Sequence, residues 1–144
     1  MCGIVGIVER DLSQPVLPED LQRMVRTLHH RGPDEEGSIT MNGVGLGMRR
    51  LAIVDLAVAQ QPILNETGDI KIVANGKIYN FRELQQQLEG LGHRFHSRHS
   101  DIEVIVHAYE QWGTDFLPRL RGRALVVAPV LVALALEIAG SLRR

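Results

Sequence analysis

Cys2-Gly3-Ile4-Val5-Gly6-Ile7-Val8 follows Met1 directly, and its reading decides the fold. The run is short, apolar and rich in β-branched residues, which predicts a buried strand from Gly3 to Val8, almost at the N-terminus. Just ahead of it stands the single cysteine of the chain. Removal of Met1 before so small a residue would leave Cys2 with both a thiol and a free α-amino group. Such groups ordinarily titrate near about 8.5 and about 7.7–8.0, so proton exchange between them is nearly balanced at neutral pH. The thiolate is then a nucleophile, and the amine, directly or through a water, receives and returns its proton. Taken on position alone, a small apolar residue leading into a strand is the commoner meaning of such a cysteine.

Outward from this strand, Pro18, Glu19 and Asp20 suit the first turn of a helix on which Leu21, Met24, Val25 and Leu28 recur at helical spacing. His29-His30 reads as its end, and Arg31-Gly32-Pro33-Asp34 as a loop. Asn42-Gly43 predicts a two-residue hairpin between two strands. Arg50 to Leu56 and Ile70 to Val73 read as further strands. Asn80 is placed to cap a helix with an apolar face of Phe81, Leu84, Leu88 and Leu91, stopped by Gly92. Ser100-Asp101-Ile102-Glu103 is a capping-box pattern opening an amphipathic helix through Ile102, Ile105, Val106 and Tyr109 to about Gly113. Strands and helices mix without strict alternation, which predicts an α+β layered fold over a doubly wound sheet.

With 144 residues the chain is about one domain. A formal net charge of −1 gives no basic surplus for nucleic acid, and one cysteine excludes an internal disulfide framework and fits a reducing compartment. No cationic region precedes the first apolar run and no apolar stretch is long enough to span a bilayer, so a cytoplasmic protein without a membrane anchor is expected. The composition shifts near residue 123, and Ala124 to Leu136 holds only Ala, Leu, Val and one Pro.

Six segments recur in one order: Cys2 to Ile7, His30-Arg31-Gly32-Pro33-Asp34, Arg49-Arg50-Leu51-Ala52-Ile53-Val54-Asp55, Gln61-Pro62, Asn75-Gly76-Lys77-Ile78-Tyr79-Asn80 and Ser100-Asp101-Ile102-Glu103-Val104. Together, over residues 2–122, they resemble the N-terminal class II glutamine amidotransferase domain of glutamine-hydrolysing asparagine synthetases. The resemblance implies an N-terminal-nucleophile hydrolase-like layered αββα sandwich, incomplete at the C-terminus. It implies that Cys2 attacks the glutamine side-chain amide, forming a thioester and releasing ammonia. Asn75 and Gly76 would hold the oxyanion, Arg50 the α-carboxylate and Asp101 the α-amino group of glutamine, with Ile53 and Val54 lining its pocket. A preorganised oxyanion donor and a two-pronged guanidinium are what these steps need physically. On its own, Asn75-Gly76 would read as a turn, Arg49 as a solvated neighbour of Arg50, and Asp101 as a complement to a helix dipole. Glutaminase chemistry of this kind implies no cofactor and no metal ligand. ATP and Mg belong to the family's synthetase half, which residues 1–144 do not include. Glutamine is the implied small-molecule partner, with a homodimer or a separate synthetase subunit as the implied protein partner.

Three departures bear on activity. Relatives carry Glu after Asn-Gly where this chain has Lys77, so a charge that attracts the ammonium of glutamine becomes one that repels it, and weak or absent glutaminase activity is expected. Phe95 to Asp101 is one residue longer than in typical relatives, which could displace Asp101. Beyond Gly122 the resemblance stops and residues 123–144 form a divergent apolar tail, expected to be buried or poorly folded and read as the mark of a truncated or frame-shifted product. Two other classes remain open: a catalytically inactive amidotransferase-like scaffold or regulatory protein, and a metal-binding module using His93, His96 and His99 at every third residue with His107 beyond.

Overall fold

The structure is a computed structural model that describes residues 2–51 and 60–127. The β-branched run forms β1 (Gly3–Val8), as its composition predicts. α1 (Pro18–Thr27) follows with proline in its first turn and buries Leu21 and Val25. Met24 stays partly exposed, at the margin of the apolar stripe. β2 (Glu35–Met41) and β3 (Val44–Arg50) make the hairpin expected at Asn42-Gly43, and Gly43 takes a φ of +67° that a side chain would resist. β3 lies between β1 and β2, antiparallel to both.

β4 (Ile63–Leu64), β5 (Lys71–Ile78) and β6 (Gly122–Val127) form a second antiparallel sheet with β5 central. β5 therefore runs well past the expected Val73 and carries Asn75-Gly76 inside a strand rather than in a turn. The compositional shift at residue 123 falls within β6, whose residues pair with β5 from Ile78↔Gly122 to Val73↔Val127. Arg50, expected to begin a strand, ends β3 instead. The segment expected to follow it falls on residues 52–59, outside the described residues, as does the tail from 128 onward.

α2 (Phe81–Gly90) and α3 (Glu103–Trp112) pack together and are followed by a 3-10 helix, Gly113–Arg119. α3 is less amphipathic than its spacing suggests, since every residue from Glu103 to Ala108 is buried. Two apolar clusters result. Ile72, Ala74 and Ile78 of β5 pack with Leu84, Leu88, Val104, Ile105 and Phe116. Val73, pointing the other way, joins Val44, Leu46 and Met48 of β3, with Cys2 and Ile4 packed against them. Helix α1 contacts all three strands of the first sheet. An added Cβ at Gly47 would stand 2.5 Å from Val25 Cγ2, so glycine there lets α1 sit close on β3. The chain is thus α+β, built on two small sheets. No helix of the described residues is long and apolar enough to cross a membrane.

Candidate active site

Alternation along the strands gathers the site. Cys2 and Ile4 share the face of the first sheet that carries Met48, and Asn75 shares with Val73 the face of β5 that meets them. Asn75 Nδ2 donates to the Cys2 carbonyl oxygen at 3.3 Å, a contact between residues 73 apart in sequence. Arg31 Nε donates to the same oxygen at 3.3 Å. The half-buried Cys2 is therefore held by donors from two other parts of the chain. Gly76, next along β5, is aligned with Ala124 of β6.

The β1–β3 register ends with Gly3 opposite Arg49, so Cys2 and Arg50 are the next residues along the two chains. Arg50 Nη1 lies 3.3 Å from Glu35 Oε2 across the β2–β3 pair. Arg50 also lines a cavity of about 310 Å³ with Glu35, Glu36, Gln60, Gln61 and Pro62. Cys2, Asn75 and Asp101 do not line it. Arg49, expected to be solvated, is instead buried: Nε donates to the Gly32 carbonyl at 2.7 Å, Nη2 to the Pro33 carbonyl at 3.3 Å, and Nη1 pairs with Glu36. Its planar fork can satisfy three acceptors at once, which explains an arginine there. Gly32 completes the arrangement, because a Cβ would stand 2.4 Å from the backbone of Arg49 and Arg50.

Asp101 lies against the end of β5. Its Oδ2 accepts from the Ile78 N–H at 2.8 Å, and its Oδ1 is 3.4 Å from Lys77 Nζ. The carboxylate is mostly buried whereas Lys77 is largely exposed. Gln61 bonds the same edge of β5 four residues earlier: its side-chain amide donates to the Ala74 carbonyl at 2.9 Å and accepts from the Ala74 N–H at 2.7 Å. The Gln61-Pro62 peptide is cis. Ile53 and Val54 lie outside the described residues.

Several polar residues do other work than their spacing suggests. Asn80 occupies the N-cap position of α2, but its side chain donates to the Arg119 carbonyl and accepts from the Arg121 N–H, clamping the approach to β6. Only half of the expected capping box forms: Ser100 Oγ accepts from the Glu103 N–H at 3.2 Å, while the Glu103 carboxylate accepts from the His96 and Ser97 N–H groups. Burial pushes the Glu103 pKa up, but the His107 ring and those two N–H groups outweigh it, and the net direction is down. His93, His96 and His99 do not converge. His96 is 75% exposed, and His99 lines a separate shallow cavity with Arg98 and Gln85. Arg31, Glu35 and Gln61 were not assigned roles by sequence reasoning. Arg31 and Gln61 lie in motifs that could have flagged them, whereas nothing local marks Glu35.

A family profile described as a glutamine amidotransferase domain matches residues 1–128. The chain is 42% identical over 124 residues to asparagine synthetase (glutamine-hydrolyzing) 2 of Bacillus subtilis (strain 168), covering 85% of this chain and 16% of that protein. It is 38% identical over 122 residues to asparagine synthetase (glutamine-hydrolyzing) 1 of Arabidopsis thaliana, covering 85% and 20%. A probable asparagine synthetase (glutamine-hydrolyzing) of Dictyostelium discoideum is 38% identical over 122 residues, covering 85% and 22%. The chain therefore spans 16% to 22% of the length of these relatives.

Proposed function

This chain belongs to the glutamine amidotransferase domain family, and on that premise we propose that it hydrolyses the side-chain amide of glutamine through an N-terminal cysteine. After loss of Met1, the Cys2 α-amine takes the thiol proton and the thiolate adds to the amide carbon. Negative charge gathers on the amide oxygen, where Asn75 Nδ2 and the Gly76 N–H donate to it. The intermediate collapses with the C–N bond breaking, the amine returns its proton to the leaving nitrogen, and ammonia departs from a thioester. Water, deprotonated by the same amine, hydrolyses the thioester to glutamate and restores the thiol. Arg50 holds the α-carboxylate and Asp101 the α-ammonium, with Ile53 and Val54 along the pocket. Besides water, the steps use the Cys2 thiol and α-amine, the Asn75 amide and the Gly76 N–H.

The observation that carries this reading is the Asn75 Nδ2 contact with the Cys2 carbonyl, which sets an amide donor beside the nucleophile. The division of apolar contacts supports the finer fold reading, a helix–sheet–sheet–helix sandwich of the N-terminal-nucleophile type. In that arrangement α1 covers the first sheet, and α2 and α3 cover the second. By analogy with the named relatives, the ammonia would serve ATP-dependent asparagine synthesis in the cytoplasm, carried out by regions this chain does not span.

Intact-mass measurement of the purified chain, together with a glutaminase assay, tests the proposal. Met1 should be absent, a glutamine-analogue electrophile should label Cys2, and Cys2→Ala should abolish turnover. A chain retaining Met1, or turnover unchanged in Cys2→Ala, would falsify it. The Lys77–Asp101 ion pair favours a second reading, a catalytically inactive scaffold. In that case the electrophile leaves Cys2 unmodified although Met1 is gone.

A further inference from the structure

We propose that Glu66, His93, His107 and Glu110 form a binding site for a divalent transition-metal ion of the zinc type. One ligand atom from each of the four lies within 4.8 Å of the others. Glu66 comes from the β4–β5 turn, His93 from the segment after α2, and His107 and Glu110 from successive turns of α3. None of the four residues is among those assigned to the amide chemistry.

The hydrogen-bond geometry around the two rings bears on what the cluster can bind. His93 Nε2 is 3.0 Å from Gln111 Oε1; when Nε2–H donates to that oxygen, the Nδ1 lone pair is the one open to a metal. That Nδ1 is 3.6 Å from Glu66 Oε1 and 3.6 Å from Glu110 Oε2. His107 is fully buried, and neither of its ring nitrogens has a hydrogen-bond partner among the described residues. Its Nδ1 is 3.2 Å from Glu66 Oε2, and its Nε2 faces Glu103 Oε1 at 3.7 Å. Two imidazole nitrogens and two carboxylates thus face one another without completing a hydrogen bond at His107 Nδ1 or His93 Nδ1, and together they form the donor set that a divalent cation takes.

Size and charge fit zinc. Bonds of about 2.0–2.2 Å in a tetrahedron require ligand atoms roughly 3.3–3.6 Å apart; His93 Nδ1 to Glu110 Oε2 is 3.6 Å and His107 Nδ1 to Glu66 Oε2 is 3.2 Å, and the four ligand atoms all lie within 4.8 Å. Two carboxylates neutralise a divalent ion, and two imidazoles select zinc-like metals over magnesium or calcium. The surrounding shell also fits. Asn65 Nδ2 donates to Glu110 Oε1 at 3.1 Å, the Arg94 N–H donates to Glu66 Oε1 at 2.6 Å, and Glu103 stands behind His107 as carboxylates stand behind zinc-ligating histidines. The ion would fasten α3 to the β4–β5 turn and to the segment after α2.

Equilibrium dialysis of the chelator-treated full chain against Zn²⁺, with metal counted per chain, tests this. The expected result is one ion per chain, bound at least about tenfold more weakly in His93→Gln and in Glu110→Gln. Binding should be unchanged in His96→Ala and Cys2→Ala, which removes the lone thiol as an explanation. Absence of stoichiometric binding, or binding that survives both glutamine substitutions, overturns the proposal. Loss of binding in His96→Ala or Cys2→Ala does so too. Should a glutamine variant fail to fold, Co²⁺ added to the unaltered chain decides: intense visible bands of a four-coordinate ion support the site, and their absence rejects it. None of these readouts depends on glutamine hydrolysis.

Discussion

Lys77 Nζ lies 3.4 Å from Asp101 Oδ1, so the carboxylate assigned to the ammonium of glutamine already has a cation beside it. Asp101 is fixed by the Ile78 N–H and mostly buried, whereas Lys77 is 62% exposed. With the lysine end in solvent the attraction is partly screened, so substrate can compete for Asp101 but at a loss of affinity.

Replacing Lys77 by Glu should therefore lower the KM for glutamine by about tenfold, with a smaller change in kcat. The altered charge acts on the bound ammonium and not on the reacting amide. Equal kcat/KM for the two proteins in a coupled glutamate assay would remove Lys77 from the account.

Asn75→Ala should leave KM within a few-fold and reduce kcat by about 10²–10³, the effect of one lost oxyanion donor. Single-turnover thioester formation is the measurement of choice. A rate loss below about threefold would return Asn75 to a structural role, holding the Cys2 carbonyl.

Arg50→Lys keeps the charge but loses the two-pronged geometry, and should raise KM for glutamine at least tenfold with kcat little changed. Glu35→Gln removes the carboxylate 3.3 Å from Arg50 Nη1 and should shift KM the opposite way. Steady-state kinetics on both variants checks the pair, and identical shifts would refute the competition.

Gly37→Ala would place a Cβ 1.7 Å from the Gln61 carbonyl oxygen. Gln61 is hydrogen-bonded to Ala74 directly before Asn75, so the displacement should reach β5. A loss of about 3 kcal/mol in urea unfolding is expected, in line with other severe steric changes. A loss under about 0.5 kcal/mol would contradict so close an approach.

In the chelator-treated chain, Glu103 should contribute to acid sensitivity. Its folded pKa lies below the ordinary glutamate value of about 4.3, so its stabilisation is fully present above that value. It is lost as pH falls through the lowered folded value. Glu103→Gln should destabilise the chain by about 2 kcal/mol at neutral pH and flatten the acid limb of a stability–pH curve. Parallel curves for the two proteins would dissociate Glu103 from acid unfolding.

The sequence by itself determined the elements and the family. β1, α1, the Asn42-Gly43 hairpin, α2 and α3 are written in spacings of two to four residues, which local backbone geometry reads directly, and the ordered motifs pointed to the amidotransferase domain now matched. The tertiary structure alone decided which side chains meet. It carried β5 on through Asn75, because β6 supplies a partner strand. It buried Arg49 against the Gly32 and Pro33 carbonyls, turned Asn80 from a cap into a clamp on residues 119–121, and set Lys77 on Asp101. It also brought His93 and His107 to the two glutamates while leaving His96 in solvent. Each of these depends on a partner far away in sequence. Such pairings follow from how sheets and helices stack to bury apolar surface, and local periodicity carries no record of that stacking.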